Sequence, residues 1–168
     1  VAERMKLFAF LIFAVVMTGF IYPMEGAWTW NGESVFGMYT LGDLGFSDFA
    51  GSGIVHMAGA AAGVAGVLTI GARKGKYTAD GKVNAIPGAN MPLATLGTFI
   101  LWMGWFGFNV GSELAADGTA GLVLLTTQLC TAASVLGWLF IEWISRGKPT
   151  MLGGASGAVA GLVAITPA

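Results

Sequence analysis

The chain contains a single histidine, His56, within the apolar, glycine-rich stretch DFAGSGIVHMAGAAAGVAG (48–66). An imidazole can donate or accept a hydrogen bond and can exchange a proton near neutral pH. Asp48, eight residues earlier, is the other ionisable group of this stretch. Ionisable groups in such surroundings normally face the interior of a helix bundle or a water-filled cavity, which predicts a functional site. The structural alternative is a neutral imidazole that bonds to a neighbouring helix.

A second group of candidate residues lies in the segment GWFGFNVGSE (104–113). Aromatic faces attract cations, and the attraction grows when water is partly removed. Trp105, Phe108 and Ser112, together with Trp30 from an earlier loop, can therefore surround a small cation. Aromatic residues also anchor helices at the membrane interface, and this alternative stays open at the level of sequence.

The composition indicates that these residues belong to a membrane protein. Hydrophobic residues make up 55% of the chain and charged residues only 10%, with a mean hydropathy of +0.75, whereas about a quarter of the residues in soluble domains are charged. Helices that cross a bilayer need about 20 apolar residues. Apolar runs occupy residues 5–24, 48–71, 92–111 and 118–144, and an incomplete fifth run occupies 153–168. The sequence predicts an all-α, polytopic membrane helical bundle, and we interpret the chain as a fragment of a longer protein.

The charged residues predict which loops face the cytoplasm. All basic residues lie in alternate loops: Arg4, Lys6, Arg73, Lys74, Lys76, Lys82, Arg146 and Lys148. The opposite loops contain only acidic charges: Glu25, Glu33, Asp43, Glu113 and Asp117. Because basic loops stay on the cytoplasmic side, this pattern predicts four complete crossings with a cytoplasmic start. The basic residues are thus topology signals, and we expect no nucleic-acid partner.

The sequence offers no motif for covalent catalysis, a metal cluster or a cofactor. Cys130 is the only cysteine, and no nucleophile with a paired base or phosphate-binding loop is recognisable. We therefore expect neither an enzyme nor a bound cofactor.

Small residues at intervals of four predict close helix packing. One row consists of Gly59 and Gly63, and another of Gly153, Gly157 and Gly161. Helices in a bilayer associate mainly through close van der Waals contact, which small residues permit. The polar residues of the fourth run can bond neighbouring helices or their own i−4 carbonyls: Thr126, Thr127, Gln128, Thr131 and Ser134. We expect Glu142 to extend toward the surface and pair with Arg146.

Regular helical geometry gives a first estimate of how Asp48 and His56 are arranged. In an α-helix that begins at Asp48, His56 lies about 12 Å further along the axis and about 80° around it. A direct contact between the two side chains within this helix is therefore not expected. Asp48 either caps the helix through its first-turn N–H groups or shapes the electrostatics of the outer mouth.

Several separated segments resemble, in order and spacing, the ammonium transporter family (Amt/Mep, with Rh proteins as distant relatives). They are WTWNG, DFAGSGIVH, GWFGFNVGS and KPTMLGGASGAVAGLVAITPA. Members of that family have about eleven transmembrane helices and usually form homotrimers with a pore in each subunit. The resemblance implies that this chain corresponds to helices four to seven and the start of the eighth, in a multi-pass protein of the cell membrane.

The resemblance also implies roles for the two ionisable residues. His56 corresponds to the first of the family's twin pore histidines, and Asp48 corresponds to the carboxylate of the DFAG signature that supports transport. The second histidine and the outer gating phenylalanine belong to helices outside these 168 residues. Because an uncharged molecule enters hydrocarbon at far lower cost than a bare cation, an apolar pore favours ammonium, which can shed a proton, over potassium, which cannot.

The aromatic segment receives its roles from the same resemblance. Trp30 and Ser112 match positions of the outer ammonium recruitment site. Phe108 matches the inner of two stacked phenylalanines that gate the pore, and Trp105 lies in the same pore-mouth motif.

The implied function is transport of ammonium or ammonia across a lipid bilayer, with recruitment of the cation, deprotonation and passage of ammonia. The implied partners are two further copies in a homotrimer and a cytoplasmic PII-type regulator on residues 72–91. Two alternatives stay open: an ammonium sensor built on the same fold, and a structural helix bundle with no pathway.

Overall fold

The computed structural model describes residues 4–32, 34–37 and 39–168, with Val35 described by its backbone alone. This part of the chain forms five long helices: α1 (Leu7–Thr29), α2 (Ser52–Ile70), α3 (Met91–Gly111), α4 (Gly118–Arg146) and α5 (Met151–Ile165). The first four are long and apolar enough to cross a membrane. Across the described residues there is no strand, only an isolated antiparallel bridge between Tyr77 and Val83. The predicted all-α fold class is confirmed.

Helix α1 continues beyond residue 24, where the predicted run ends, as far as Thr29. Pro23 lacks a backbone N–H and would interrupt a regular α-helix at this point. A π turn at Met17–Ile21 directly precedes it, and the N–H of Tyr22 donates to the carbonyl of Met17, five residues earlier. With this wider turn, the helix continues past Pro23 without interruption.

Helix α2 begins at Ser52 rather than at Asp48, so the estimate from regular helical geometry is wrong. Its first segment, Ser52–Met57, is a π turn that contains His56, and an α-helix follows over Ala58–Ile70. Asp48 lies outside the helix. The axial distance of about 12 Å and the angle of about 80° therefore do not apply, because both assumed a continuous α-helix from Asp48.

The chain divides into two compact units. The first consists of residues up to 47 and residues 53–87, which include α1 and most of α2. The second consists of residues 48–52 and 88–168, which include α3, α4 and α5. The predicted site residues are divided between these units: Trp30 and His56 belong to the first, and Asp48, Trp105, Phe108 and Ser112 to the second.

In the second unit, α4 and α5 pack closely along the predicted row of glycines. A Cβ atom at Gly161 would lie 2.6 Å from the Cβ of Ser134 and 2.9 Å from the Cα of Thr131. A Cβ atom at Gly157 would lie 3.0 Å from the carbonyl oxygen of Ser134. These distances are shorter than van der Waals contact, so only glycine allows the two backbones to approach this far. The prediction of close packing at this row is confirmed.

The other predicted row makes no such contact. A Cβ atom at Gly59 or Gly63 would meet no atom within 4 Å in the described chain. Small residues allow a close approach but need a partner helix at the same level. Within the first unit, no close packing is found at these two glycines.

Side-chain caps define where α3, α4 and α5 begin. Asn90 accepts a hydrogen bond from the N–H of Leu93, Asp117 from those of Thr119 and Ala120, and Thr150 from that of Gly153. These oxygens satisfy first-turn donors that have no partner inside the helix. Helix α4 ends at Arg146, and the φ of +79° at the following Gly147 lies in the left-handed region that glycine adopts without strain.

Candidate functional site

Asp48 is buried and shapes the backbone that leads into α2. Only 4% of its surface is exposed, and its Oδ1 accepts hydrogen bonds from the N–H groups of Gly51 (3.0 Å) and Ser52 (2.8 Å). Gly51 has a φ of +122°, a backbone conformation that residues other than glycine rarely adopt. A residue that caps a helix forms such bonds, because they satisfy N–H groups at the start of the helix. They therefore favour the interpretation that Asp48 caps α2.

The end of α5 holds the same short segment through its last carbonyls. The N–H of Phe49 donates to Pro167 O (3.0 Å), and the N–H of Ala50 donates to Thr166 O (2.9 Å). The Ser52 hydroxyl donates to Val163 O. Pro167 has no N–H, so the carbonyl of Val163 accepts the N–H of Thr166, three residues later, at 3.3 Å and has a lone pair left for Ser52. The end of α5 is therefore a set of acceptors that the segment after Asp48 fills.

Trp105 of α3 is attached to the same end of α5. Its side chain is 9% exposed, and its indole Nε1–H donates to the hydroxyl oxygen of Thr166 at 2.9 Å. That hydroxyl in turn donates to Leu162 O at 2.7 Å. A buried indole N–H needs an acceptor, and the bond fixes the orientation of the ring.

Two of the aromatic residues singled out in the sequence, Trp105 and Phe108, lie against each other in the last two turns of α3. The rings of Trp105 and Phe108 stack with centroids 5.6 Å apart and planes inclined by 24°. One turn further along, the Ser112 hydroxyl donates to the carbonyl of Phe108 at 2.7 Å. The hydroxyl oxygen of Ser112 keeps its lone pairs as acceptors, because the bond to Phe108 uses its proton. The last two turns of α3 thus hold a stacked aromatic pair and a hydroxyl oxygen with free lone pairs.

Trp30 and His56 lie at helix ends in the first unit. Trp30 follows the last residue of α1, where its N–H donates to Gly26 O at 2.8 Å and 45% of its surface is exposed. Nearby, the indole of Trp28 donates to Tyr39 O at 2.5 Å, and the two rings are 6.0 Å apart. His56 is half-buried in the π turn of α2. Such turns occur frequently at functional sites.

Two buried polar residues of the second unit were not singled out from the sequence. Thr166 connects Trp105 to the segment after Asp48. Asn109, one turn beyond Trp105, is also buried, and its Nδ2 donates to the hydroxyl of Thr127 at 3.1 Å. The available signals were an asparagine inside the apolar segment GWFGFNVGSE and a threonine directly before a proline.

Within the described part of the chain, no group of three or more His, Cys, Asp or Glu side chains is arranged to hold a metal ion. Cys130 packs between helices, with its thiol directed to the carbonyl of Gly161 at 3.4 Å. The buried polar groups of the second unit are instead the carboxylates of Asp48 and Glu142, threonine hydroxyls, the indole of Trp105 and the amide of Asn109.

Apolar helices of membrane length, with buried polar groups at their ends, define a polytopic α-helical membrane protein. Comparison with known proteins gives the family. The model of the Ammonium Transporter Family matches residues 1–168. The chain is 44% identical to the ammonium transporter Amt2 of Archaeoglobus fulgidus and 43% identical to an ammonium transporter of Bacillus subtilis. Each match covers 99% of this chain but only 36% and 38%, respectively, of the relative.

Solved structures of the family have the same fold. Candida albicans Mep2 superposes with a TM-score of 0.83 at 33% identity, over 98% of this chain and 35% of that one. A protein titled Sensor Amt Protein superposes with a TM-score of 0.81 at 41% identity, over 89% of this chain and 37% of that one. The chain belongs to the ammonium transporter family and is part of a multi-pass membrane protein. It spans a little over a third of the length of these relatives.

Proposed function

We propose that this chain is the part of a longer transporter that corresponds to helices four to eight, and that the whole protein moves ammonium or ammonia across the cell membrane. The observation that carries this proposal is the stacked pair of Trp105 and Phe108, fixed at one end of α3 in a chain of this family. Two aromatic faces beside a hydroxyl oxygen form a surface that attracts a small cation and can accept its hydrogen bonds.

Each residue of the proposed site has a role that its chemistry supports. In the second unit, Trp105 and Ser112 attract the cation through an aromatic ring and a hydroxyl oxygen, and in the first unit Trp30 supplies a further aromatic ring for the same role. Phe108 controls access to the apolar part of the pathway. Asp48 supports the site by fixing the backbone in front of α2, and His56 offers ammonia a hydrogen-bonding partner on an otherwise apolar path.

Selectivity follows from the cost of moving charge into an apolar passage. A bare cation loses its hydration there, a loss of tens of kcal/mol in the idealised Born limit. Ammonium avoids this cost by releasing its proton and crossing as ammonia. Potassium has no proton to release and is excluded.

The test is ammonium uptake by the full-length protein in liposomes. We expect His56→Ala to lower selective uptake by roughly tenfold, equivalent to about 1.4 kcal/mol, and Phe108→Ala to alter gating with little effect on folding. Phe99→Ala is the matched control, because Phe99 lies on the same helix with 61% of its side chain exposed. Unchanged uptake and unchanged exclusion of potassium in both site variants would contradict these roles.

An ammonium sensor is the second candidate function, because the superposition on a protein titled Sensor Amt Protein favours it. The liposome assay separates the two functions. A sensor would bind ammonium without a flux that scales with the gradient, whereas a transporter would show that flux. A protein with neither binding nor flux would support the structural-bundle alternative.

We further propose that the whole protein is a homotrimer and that a PII-type regulator docks on residues 72–91. Hydrogen bonds of Thr78 N to Lys82 O (2.9 Å) and Asn84 N to Lys76 O (2.8 Å) fold part of this loop into a hairpin. A hydrogen bond from Thr78 and then the neighbouring Lys82 keep the pKa of the Asp80 carboxyl below its ordinary value. The hairpin therefore offers a defined, charged surface to a protein partner. Co-purification of the full-length protein with a PII-type protein, lost on deletion of 72–87, would support this docking site.

A further inference from the structure

We infer that Thr166 is a positioning residue for the proposed ammonium site, because it fixes both the indole of Trp105 and the segment that follows Asp48. This inference rests on the proposed function and assigns to Thr166 no contact with the substrate. Its side chain is fully buried at the end of α5.

The hydroxyl group of Thr166 sets the orientation of Trp105. It accepts the indole N–H at 2.9 Å and donates its own proton to Leu162 O at 2.7 Å. The second bond fixes the rotation of the hydroxyl, so that a lone pair faces the indole. Because Trp105 stacks on Phe108, the orientation of one ring also determines the position of the other.

The backbone of the same residue sets the position of the segment after Asp48. The carbonyl of Thr166 accepts the N–H of Ala50 at 2.9 Å, and the carbonyl of Pro167 accepts that of Phe49 at 3.0 Å. Residues 46–51 are not helical, so their polar backbone groups need partners outside their own segment. The end of α5 provides those partners, and Asp48 completes the arrangement through the amides of Gly51 and Ser52.

Thr166 therefore holds both the Trp105 ring, through its hydroxyl, and the segment after Asp48, through its backbone carbonyl. A small movement of the end of α5 displaces the Trp105 ring and the segment after Asp48 together. The side-chain bond can be removed without the backbone bond, and this difference makes the inference testable.

The experiment compares Thr166→Val, Thr166→Ser and Thr131→Val in the full-length protein. Valine keeps the shape of threonine and removes the hydroxyl, whereas serine keeps the hydroxyl. Thr131 is the matched control, because it is equally buried and its hydroxyl donates to Thr127 O four residues earlier at 2.7 Å. We expect Thr166→Val to lower ammonium uptake by about tenfold, Thr166→Ser to retain most of it, and Thr131→Val to leave it unchanged.

A double-mutant cycle with Trp105→Phe tests whether the effect passes through the indole. Phenylalanine keeps an aromatic ring and removes the N–H donor. If the hydroxyl acts by holding the indole, Thr166→Val combined with Trp105→Phe transports no worse than the more impaired single variant. The inference would be overturned if the double variant lost uptake by the product of the two single losses. It would also be overturned if Thr166→Val and Thr131→Val lost uptake equally.

Failure of the proposed function gives a different result. In that case the unchanged protein carries no ammonium, and the same cycle is measured through the midpoint of thermal unfolding. Non-additive shifts would still support the coupling between Thr166 and Trp105, whereas additive shifts would overturn it.

Discussion

Glu142 shows how the structure accommodates a charged side chain between two apolar helices. The residue is 8% exposed rather than extended to the surface, and its carboxylate accepts hydrogen bonds from the N–H and the hydroxyl of Thr150, each at 2.9 Å. The predicted partner, Arg146, is only at the limit of an ion pair, with its NH1 at 3.9 Å and its side chain 75% exposed. The carboxylate thus joins the end of α4 to the start of α5, and the arginine contributes little.

This arrangement predicts different effects for two neighbouring substitutions. Glu142→Ala removes the two hydrogen bonds that Thr150 donates to a buried carboxylate, and bonds to charged groups are the stronger ones, so we expect a loss of about 1–3 kcal/mol of stability. Arg146→Ala removes an exposed partner, so we expect a loss of at most about 1 kcal/mol. Thermal unfolding of the full-length protein in detergent measures both. A larger effect from the arginine would show that the ion pair dominates.

At the scale of the elements, α4 and α5 can approach closely because α5 places glycines, which have no side chain, at the contact. Gly153 also faces Glu142, so the row of three glycines follows the whole contact of α5 with α4. Within a bilayer this contact gains stability from many close van der Waals approaches rather than from the exclusion of water.

We therefore predict that Gly161→Ala destabilises the protein by about 1–3 kcal/mol, because the added methyl group overlaps backbone atoms of Thr131 and Cys130. The control is Gly137→Ala on α4, where an added methyl group meets no atom within 4 Å. Alanine favours a helix over glycine by up to about 1 kcal/mol, so the control is expected to be neutral or slightly stabilising. Equal unfolding midpoints for the two variants would contradict the packing argument.

The helices themselves were predictable from the sequence, but two of their ends were not. Runs of apolar residues are sufficient to locate α3 and α4, because span and helix coincide there. The start of α2 depends on hydrogen bonds between residues 49–52 and residues 163–167, which are distant in sequence. The end of α1 depends on a π turn that carries the helix past Pro23. Hydropathy contains no information about either.

At the scale of the whole molecule, the distribution of charge predicts the topology. Basic residues occupy alternate loops, and short basic loops remain in the cytoplasm. The family was accessible from the sequence motifs, whereas the orientation in the membrane and the roles of Asp48, Trp105 and Phe108 stay predictions. Thr166 was not accessible from the sequence, because its importance comes from a bond to a residue 61 positions away.

Cysteine labelling tests the topology. In a Cys130→Ala background of the full-length protein, we expect Lys74→Cys to react with an impermeant reagent from the cytoplasmic side only. Ala115→Cys, in the acidic loop between α3 and α4, is expected to react from the opposite side only. Labelling of both positions from one side would contradict the predicted number of crossings.

The close contact at Gly157 and Gly161 has a mechanical consequence. Because backbone meets backbone there, α4 and α5 cannot slide or tilt against each other without steric overlap. They therefore move as one rigid body during any conformational cycle. Any displacement of the end of α5 is therefore transmitted directly to α4, because the glycine contact leaves no slack between them.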